Sequence, residues 1–251
     1  MPIGKAFDLF DDNPEEASLA GRIILTYGQM EFLLAGCVSH TTPDPTSAFR
    51  IFYRIIGETA RIEIADALIQ PWVQDKELAG HYGLVIGALR ECVQIRNQFA
   101  HCGWRTDEAT HTGTGLFFVN FSDPAEAPLG FKLNMAWRHI DVPLLIEQLD
   151  YFGYVIAGLL YLSRAFGWTG TKEPNPFPAP KARRPPRRYN SPDLHIPPWL
   201  DEDQKRQYLE LAGAPKSASH SRKSKSKPPQ VSKRQRRQQR IAQATKKMKT
   251  S

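Results

Sequence analysis

The chain has 251 residues and a formal net charge of +7, and its positive charge is concentrated at the C-terminus. Residues 1–170 hold 12 Lys and Arg against 20 Asp and Glu, a net charge of −8. Residues 216–251 hold 13 Lys and Arg and no acidic residue. The high pI therefore belongs to the tail and says nothing about the front of the chain.

Cysteine usage and the N-terminus exclude several classes of protein. The odd number of cysteines and the absence of a C-x-x-C pair argue against a disulfide framework and favour a reducing, cytoplasmic setting. Residues 1–16 are acidic and lack the basic and apolar regions of a signal peptide. Because Glu147 and Asp150 interrupt the most apolar run, we expect no membrane-spanning segment.

The first predicted helix begins after an Asn cap at Asn13 and runs from Pro14 to about Ser39. Its apolar stripe at helical spacing consists of Ala20, Ile24, Tyr27, Glu31, Leu34 and Val38. Glu31 is the charged member of this stripe. A carboxylate there needs a partner, because burying an unpaired charge is costly.

Three more helices are predicted before residue 101, at about 46–56, 58–70 and 75–100. Gly57 should cap the first of them, and Pro71 should stop the second. On the third, Arg96 is in phase with the core positions Val85, Leu89, Cys92 and Phe99. Glu31 and Arg96 thus place opposite charges on two apolar faces, and we expect them to form a buried ion pair.

After Gly103, which should stop the helix, two strands are predicted at 115–121 and 131–136, forming a β-hairpin. Asp141 then caps a fifth helix that runs to about Phe166 and is apolar enough to be the central packing partner.

The sequence divides into a helical domain and a C-terminal region rich in Pro and charge. The predicted parts are a helical domain at 13–168, an extended Pro-rich linker at 169–199, and a short helix with a disordered basic tail at 200–251. Asp201 should cap the short helix.

The segment Arg96-Asn97-Gln98-Phe99-Ala100-His101 carries the clearest chemical signal. Arg offers a planar cation for phosphate oxygens, and His exchanges a proton near neutral pH. Without a metal cluster, such a pair is the minimum set of groups for cleaving RNA through its own 2′-hydroxyl. Since residues five apart lie about 140° from one another on a helix, Arg96 and His101 converge only if the helix ends before His101. The alternative is a structural Arg paired with Glu31, followed by a His that caps the last carbonyls.

In these residues the chain resembles the HEPN family of α-helical domains, many of which are metal-independent ribonucleases of toxin and phage-defence systems. Arg96, Asn97 and His101 match its signature of Arg, a polar residue and then His. Ala100 and Gly103 match the flanking pattern common in bacterial members, and Glu31 is similar to an acidic residue that some members carry on the first helix. The resemblance covers about residues 13–168, and the β-hairpin and basic tail lie outside the family pattern.

The resemblance implies a mainly α fold, a five-helix HEPN-like bundle, and the predicted strands add a β-hairpin insert before the last helix. It also implies a homodimer whose protomers share the cleft, with Arg96 and His101 catalytic, Asn97 supporting them, and Glu31 holding Arg96. RNA would be the substrate and a 2′,3′-cyclic phosphate the product, with no metal or other cofactor.

The tail offers a second, sequence-independent contact with RNA. Its densest cationic run contains Lys233, Arg234, Arg236, Arg237 and Arg240. Such residues bind phosphates in a strongly salt-dependent way, and the scarcity of aromatics argues against base stacking. A tail that only increases solubility is the alternative.

Two other interpretations of the whole chain stay open. One is a non-catalytic module in which the tail binds nucleic acid and the helical domain binds a protein or nucleotide. The other adds an antitoxin partner. A zinc site from Cys37, His40, His101 and Cys102 is disfavoured, since the spacing matches no standard site.

Overall fold

The computed structural model describes residues 5–73, 76–105, 116–120, 137–166, 175–192 and 194–213. It is mainly helical, with a small three-stranded antiparallel sheet. The α-helices are α1 (Lys5–Asp12), α2 (Pro14–Ser39), α3 (Pro45–Phe52), α4 (Glu58–Ile69), α5 (Lys76–Ala100), α6 (Val142–Ala165) and α7 (Glu202–Gly213). The strands are β1 (Cys102–Arg105), β2 (Leu116–Asn120) and β3 (Arg138–Ile140).

Helices α2, α4, α5 and α6 confirm the predicted positions within one or two residues. Local signals explain this agreement. Pro71 lies in a 3₁₀ turn, Gln70–Trp72, that directly follows α4. The Asp141 carboxylate accepts a hydrogen bond from the Leu144 backbone N–H at 3.0 Å, so it caps α6 as predicted.

The start of the chain differs from the prediction, because Asn13 does not cap α2 through its side chain. Its Nδ2 instead donates to the Leu9 carbonyl oxygen at 2.9 Å. Asn13 therefore closes α1, a helix that the sequence did not predict. The junction is tight because Pro14, which has no N–H to satisfy, begins α2 one residue later.

Helix α3 is also shorter than predicted and ends at Phe52. Gly57 is not its cap. It has φ of 91° and lies immediately before α4, whose first residue is Glu58. The positive φ turns the chain from the end of α3 into α4, and glycine adopts this conformation without steric cost.

Helix α6 packs against both α2 and α5, as its apolar sequence predicted. Side chains buried in this core include Ile23, Met30, Leu34, Ile86, Leu89, Ile95, Phe152, Val155 and Leu159. Contrary to expectation, α6 also has the length and apolar composition of a membrane-spanning helix. The core helix of a folded domain has the same composition, and α6 buries Leu145, Phe152, Val155 and Leu159 in the core.

The contact between α5 and α6 is close at Gly158. A Cβ added there would lie 2.6 Å from Val85 Cγ2, and Val85 is fully buried. We expect Gly158→Ala to lower the free energy of unfolding by about 1–3 kcal/mol, because the β-branched Val85 has little rotamer freedom in a helix.

Gly153→Ala on the same helix is the matched control, because no heavy atom lies within 4 Å of its added Cβ. This substitution should stabilise the protein by about 0.5–1 kcal/mol, the usual gain of Ala over Gly in a helix. Urea denaturation of both variants checks the pair. A loss for Gly153→Ala equal to that for Gly158→Ala would contradict the close approach to Val85.

The insert before α6 contains more than a hairpin. The predicted strand at 115–121 is confirmed as β2, whereas the one at 131–136 lies outside the described residues. In the described sheet, β2 lies between β1, which follows His101, and β3, which precedes α6. β1 and β2 pack against the end of α5 through ring contacts among Phe99, Trp104 and Phe118.

Residues 175–192, here called the strap, are extended but do not form a separate linker. The backbone carbonyls of Lys181 and Arg187 accept hydrogen bonds from Tyr154 and Gln148 of α6. The Arg188 carbonyl accepts one from Gln98 of α5. The strap therefore belongs to the same compact unit as the helices.

The chain after the strap contacts the sheet. Trp199 packs edge-on against Phe117 and Trp137, and the Tyr208 hydroxyl donates to the Trp137 carbonyl oxygen at 2.9 Å. Asp201 caps α7 as predicted, in a reciprocal pair of hydrogen bonds with Gln204. The predicted disordered tail after Lys216 lies outside the described residues.

Candidate functional site

The end of α5 places His101 in an exposed turn between two regular elements. The helix ends at Ala100 and β1 begins at Cys102. This meets the condition that the helix must end before His101. Gly103 does not stop the helix, however, because it lies within β1 and pairs with Val119. Strand pairing, which already includes Cys102 opposite Asn120, takes the chain away from the helix.

Arg96 is half-buried and held by several polar and aromatic neighbours. Its Nη1 lies 3.0 Å from Glu58 Oε1 and donates to Asn97 Oδ1 at 2.9 Å. Its guanidinium carbon lies 5.8 Å from the centroid of the Tyr27 ring. Arg96 Nε is buried and has no hydrogen-bond partner within the described part of the chain. The guanidinium is thus fixed in place, with one buried donor left unsatisfied.

Glu31 has a partner, as its position on the apolar face required, but the partner is Arg61 rather than Arg96. Glu31 Oε1 accepts from Arg61 Nη1 at 2.6 Å, and Arg61 Nε donates to the Ile55 carbonyl oxygen. The prediction of a direct ion pair between Glu31 and Arg96 is therefore wrong. Helix α4 lies between the two predicted partners and supplies an opposite charge to each.

The four charges form one cluster across three helices, and we call Glu31, Arg61, Glu58 and Arg96 the charge quartet. Burial raises the pKa of Tyr27, and the nearby carboxylates of Glu31 and Glu58 raise it further. Tyr27 thus lies within the field of the quartet. Glu58 and Arg61 were not identified from the sequence, although their spacing of three on α4 gives them a common face.

The structure brings some of the predicted site residues together and leaves one apart. Arg96 and Asn97 are in direct contact, and Glu31 belongs to the same quartet. Within the described residues, no hydrogen bond or ring contact joins Arg96 to His101. The Asn97 side chain orients Arg96, because its Oδ1 accepts a hydrogen bond from Arg96 Nη1.

A double-mutant cycle tests the observed pairing. Arg96→Gln combined with Glu58→Gln should show a coupling free energy of about 0.2–1 kcal/mol, the range for partly exposed ion pairs. The cycle of Arg96→Gln with Glu31→Gln should show less coupling, because Glu31 is hydrogen-bonded to Arg61. Chemical denaturation of the single and double variants gives both values. A larger coupling free energy between Arg96 and Glu31 than between Arg96 and Glu58 would support the direct Glu31–Arg96 ion pair instead.

The zinc site considered from the sequence would take two of its ligands from Cys37 and Cys102. In the part of the chain that the structure describes, no group of three or more His, Cys, Asp or Glu side chains could hold a metal ion. Burial raises the pKa values of Cys37 and Cys102 to about 12, so both thiols are protonated near neutral pH. A metal ligand must be the thiolate, which makes this pair of cysteines a poor site.

The cations predicted to bind nucleic acid in the tail, Lys233, Arg234, Arg236, Arg237 and Arg240, lie outside the described residues. Their role stays a prediction. The structure instead describes exposed cations on the strap, at Lys181, Arg184 and Arg187.

Comparison with known proteins adds no further information about the chain. No family model, no curated protein and no solved structure matches it. Its function must therefore be inferred from its own residues.

Proposed function

We propose that the helical domain is a metal-independent endoribonuclease of the HEPN type, which cleaves RNA through the 2′-hydroxyl of its substrate. The end of α5 at Ala100 carries this proposal, because it frees His101 from helical geometry and exposes it close in sequence to Arg96. An exposed imidazole can reach a substrate proton, which a side chain packed in the core cannot do.

In this reaction the 2′-oxygen attacks the adjacent phosphorus, the bond to the 5′-oxygen breaks, and a 2′,3′-cyclic phosphate forms. One proton leaves the 2′-hydroxyl, and one is delivered to the departing 5′-oxygen. His101 would move such a proton, and Arg96 would stabilise the negative charge that develops on the phosphate.

The neighbours of Arg96 are positioning residues in this proposal. Glu58 takes the place expected for Glu31, since it is the carboxylate that contacts Arg96. Glu31 acts one step further away, through Arg61. As the resemblance implies, two protomers would share the cleft in a cytoplasmic homodimer, and a defence role with an antitoxin partner belongs to the same proposal.

A second candidate is a non-catalytic module that binds nucleic acid or protein. The contacts of Arg96 favour it, since a half-buried guanidinium bonded to Glu58 and Asn97 also suits a purely structural role. The basic tail and the strap would then bind nucleic acid without cleaving it.

Incubating the purified protein with mixed-structure RNA in excess EDTA tests the first proposal. We expect cleavage that persists in EDTA and leaves 2′,3′-cyclic phosphate ends, which analysis of the fragment termini detects. RNA with 2′-O-methyl riboses should resist cleavage, since it lacks the attacking hydroxyl. Bound but intact RNA would favour the binding module.

A further inference from the structure

The strap has two buried prolines six residues apart, and the five residues between them are exposed. Pro180 and Pro186 are buried, and Arg183 Nη1, midway between them, donates to the Asp150 carbonyl oxygen at 3.3 Å. Pro180 and Pro186 make the inward face of the strap, whereas the Arg183 side chain is exposed. A separation of six residues is two turns of polyproline II, an extended helix with three residues per turn, which suits a segment this rich in proline.

Three cations at a spacing of three residues lie along the exposed side of the strap and form its outward face. Lys181, Arg184 and Arg187 are all exposed, and each lies three residues from the next. At a polyproline II rise, neighbouring cations are about 9 Å apart along the strap. Within the described residues, none of these three side chains forms an ion pair. Their charges are therefore available to a ligand.

The backbone of the strap holds this row of cations in place. The Lys181 carbonyl oxygen accepts from the Tyr154 hydroxyl at 2.8 Å, and the Arg187 carbonyl oxygen accepts from Gln148 Nε2 at 2.8 Å. Gln148 is fully buried, so this anchor is well fixed. The ion pair of Arg188 with Glu91 at 3.2 Å adds a side-chain contact. A row fixed in advance loses less conformational entropy on binding than a disordered tail.

We propose that the outward face of the strap, formed by Lys181, Arg184 and Arg187, binds the phosphate backbone of single-stranded RNA. An even, linear row of cations complements a linear polymer that carries one charge per repeat, and the planar Arg side chains suit phosphate oxygens. The face has no aromatic residue, so base stacking is absent and binding is independent of sequence. The choice of RNA rests on the proposed function, whereas the geometry of the face does not.

The test measures binding by the full chain to a short, fluorescein-labelled 2′-O-methyl RNA of mixed sequence, which cannot be cleaved through its 2′-oxygen. Fluorescence anisotropy is recorded over a series of salt concentrations. The variant K181Q/R184Q/R187Q should bind on the order of 10-fold or more weakly at physiological salt. The slope of log affinity against log salt should fall by about 2, since three phosphate contacts are lost at about 0.7 each.

The matched control is R22Q/R50Q/R54Q, which removes three exposed cations from α2, α3 and the turn after α3. It changes the net charge of the chain equally and should leave the salt slope unchanged. Thermal melting of both variants should match the wild type, because all six side chains are exposed. An unchanged slope in the strap variant, or an equal fall in both variants, would overturn the proposal.

Three further outcomes distinguish failure of the RNA assignment, of the ribonuclease proposal and of the strap site. If poly-glutamate displaced the RNA at equal charge concentration, the ligand would be an acidic polypeptide, and the assignment to RNA would be overturned. If the slope fell as expected but natural RNA stayed intact in EDTA, the strap site would stand and the ribonuclease proposal would fail. Cleavage of natural RNA with an unchanged slope in the strap variant would support the ribonuclease and overturn the strap site.

Discussion

Replacing His101 with alanine should slow RNA cleavage by about 10²–10⁴-fold while leaving RNA binding intact, because a positioned proton-transfer group contributes a factor of this size. His101 is exposed in the turn between α5 and β1, so its truncation should change stability by no more than about 0.5 kcal/mol. Single-turnover cleavage gives the rate, and anisotropy with 2′-O-methyl RNA gives the binding.

Arg96→Ala should cause a comparable loss of rate, about 10²–10³-fold, by removing a donor from the developing phosphate charge. This variant needs a control, since Arg96 also pairs with Glu58 and its loss has a structural effect. Arg90→Ala is suitable, because Arg90 lies on the same helix and pairs with Asp66 at 2.9 Å. Arg90→Ala should keep the wild-type rate.

These variants also separate the two candidate functions. Cleavage that persists in His101→Ala would remove the imidazole from the mechanism. Equal losses in Arg96→Ala and Arg90→Ala, with equal losses of stability, would indicate that α5 needs its ion pairs only to fold. Loss in Arg96→Ala and His101→Ala alone supports the ribonuclease.

Phe118→Ala should lower the free energy of unfolding by about 3–5 kcal/mol, the usual cost of removing a large aromatic side chain from a core. Phe118 is fully buried, and its ring centroid lies 5.9 Å from that of Phe99 and 5.6 Å from that of Trp104. The substitution would leave a cavity where the sheet meets the end of α5. Urea denaturation followed by circular dichroism measures the loss.

Phe32→Ala on α2 provides the comparison. Its side chain is 51% exposed and lies 5.7 Å from the Phe49 ring, so the expected loss is only about 1 kcal/mol. A loss for Phe118→Ala as small as that for Phe32→Ala would mean that the sheet does not share the helical core. Strand β1 begins directly after His101, so loss of the sheet would also displace His101. The Phe118→Ala variant should therefore lose cleavage activity at a lower temperature than the wild type.

The helices could be predicted from the sequence because their signals are local. Pro14, Pro71 and Asp141 act on the residues next to them, and the apolar stripes of α2 and α5 repeat with the helical period. The end of α5 just before His101 was also predicted to within one residue. Gly103 was wrongly expected to stop the helix, since it lies within β1. Helix α1 was missed, since its eight residues give only a short pattern.

The candidate site was predictable only in part. The sequence placed Glu31 and Arg96 on apolar faces, and this position required each to have a partner. It did not identify the partners, because Glu58 and Arg61 come from a third helix whose position between α2 and α5 depends on packing. Among several charges of opposite sign, only side-chain reach in the folded state decides which two meet.

The sequence by itself thus determined where the long helices begin and end, which charges need partners, and that a His follows Arg96 at a helix terminus. Only the tertiary structure decided that β1 pairs with β2, that α4 completes the charge quartet, and that the Pro-rich strap lies against α5 and α6. Caps, prolines and helical periods act within a few residues, whereas strand pairs, ion pairs and docked segments join residues tens of positions apart. Those contacts depend on the packing of the whole domain.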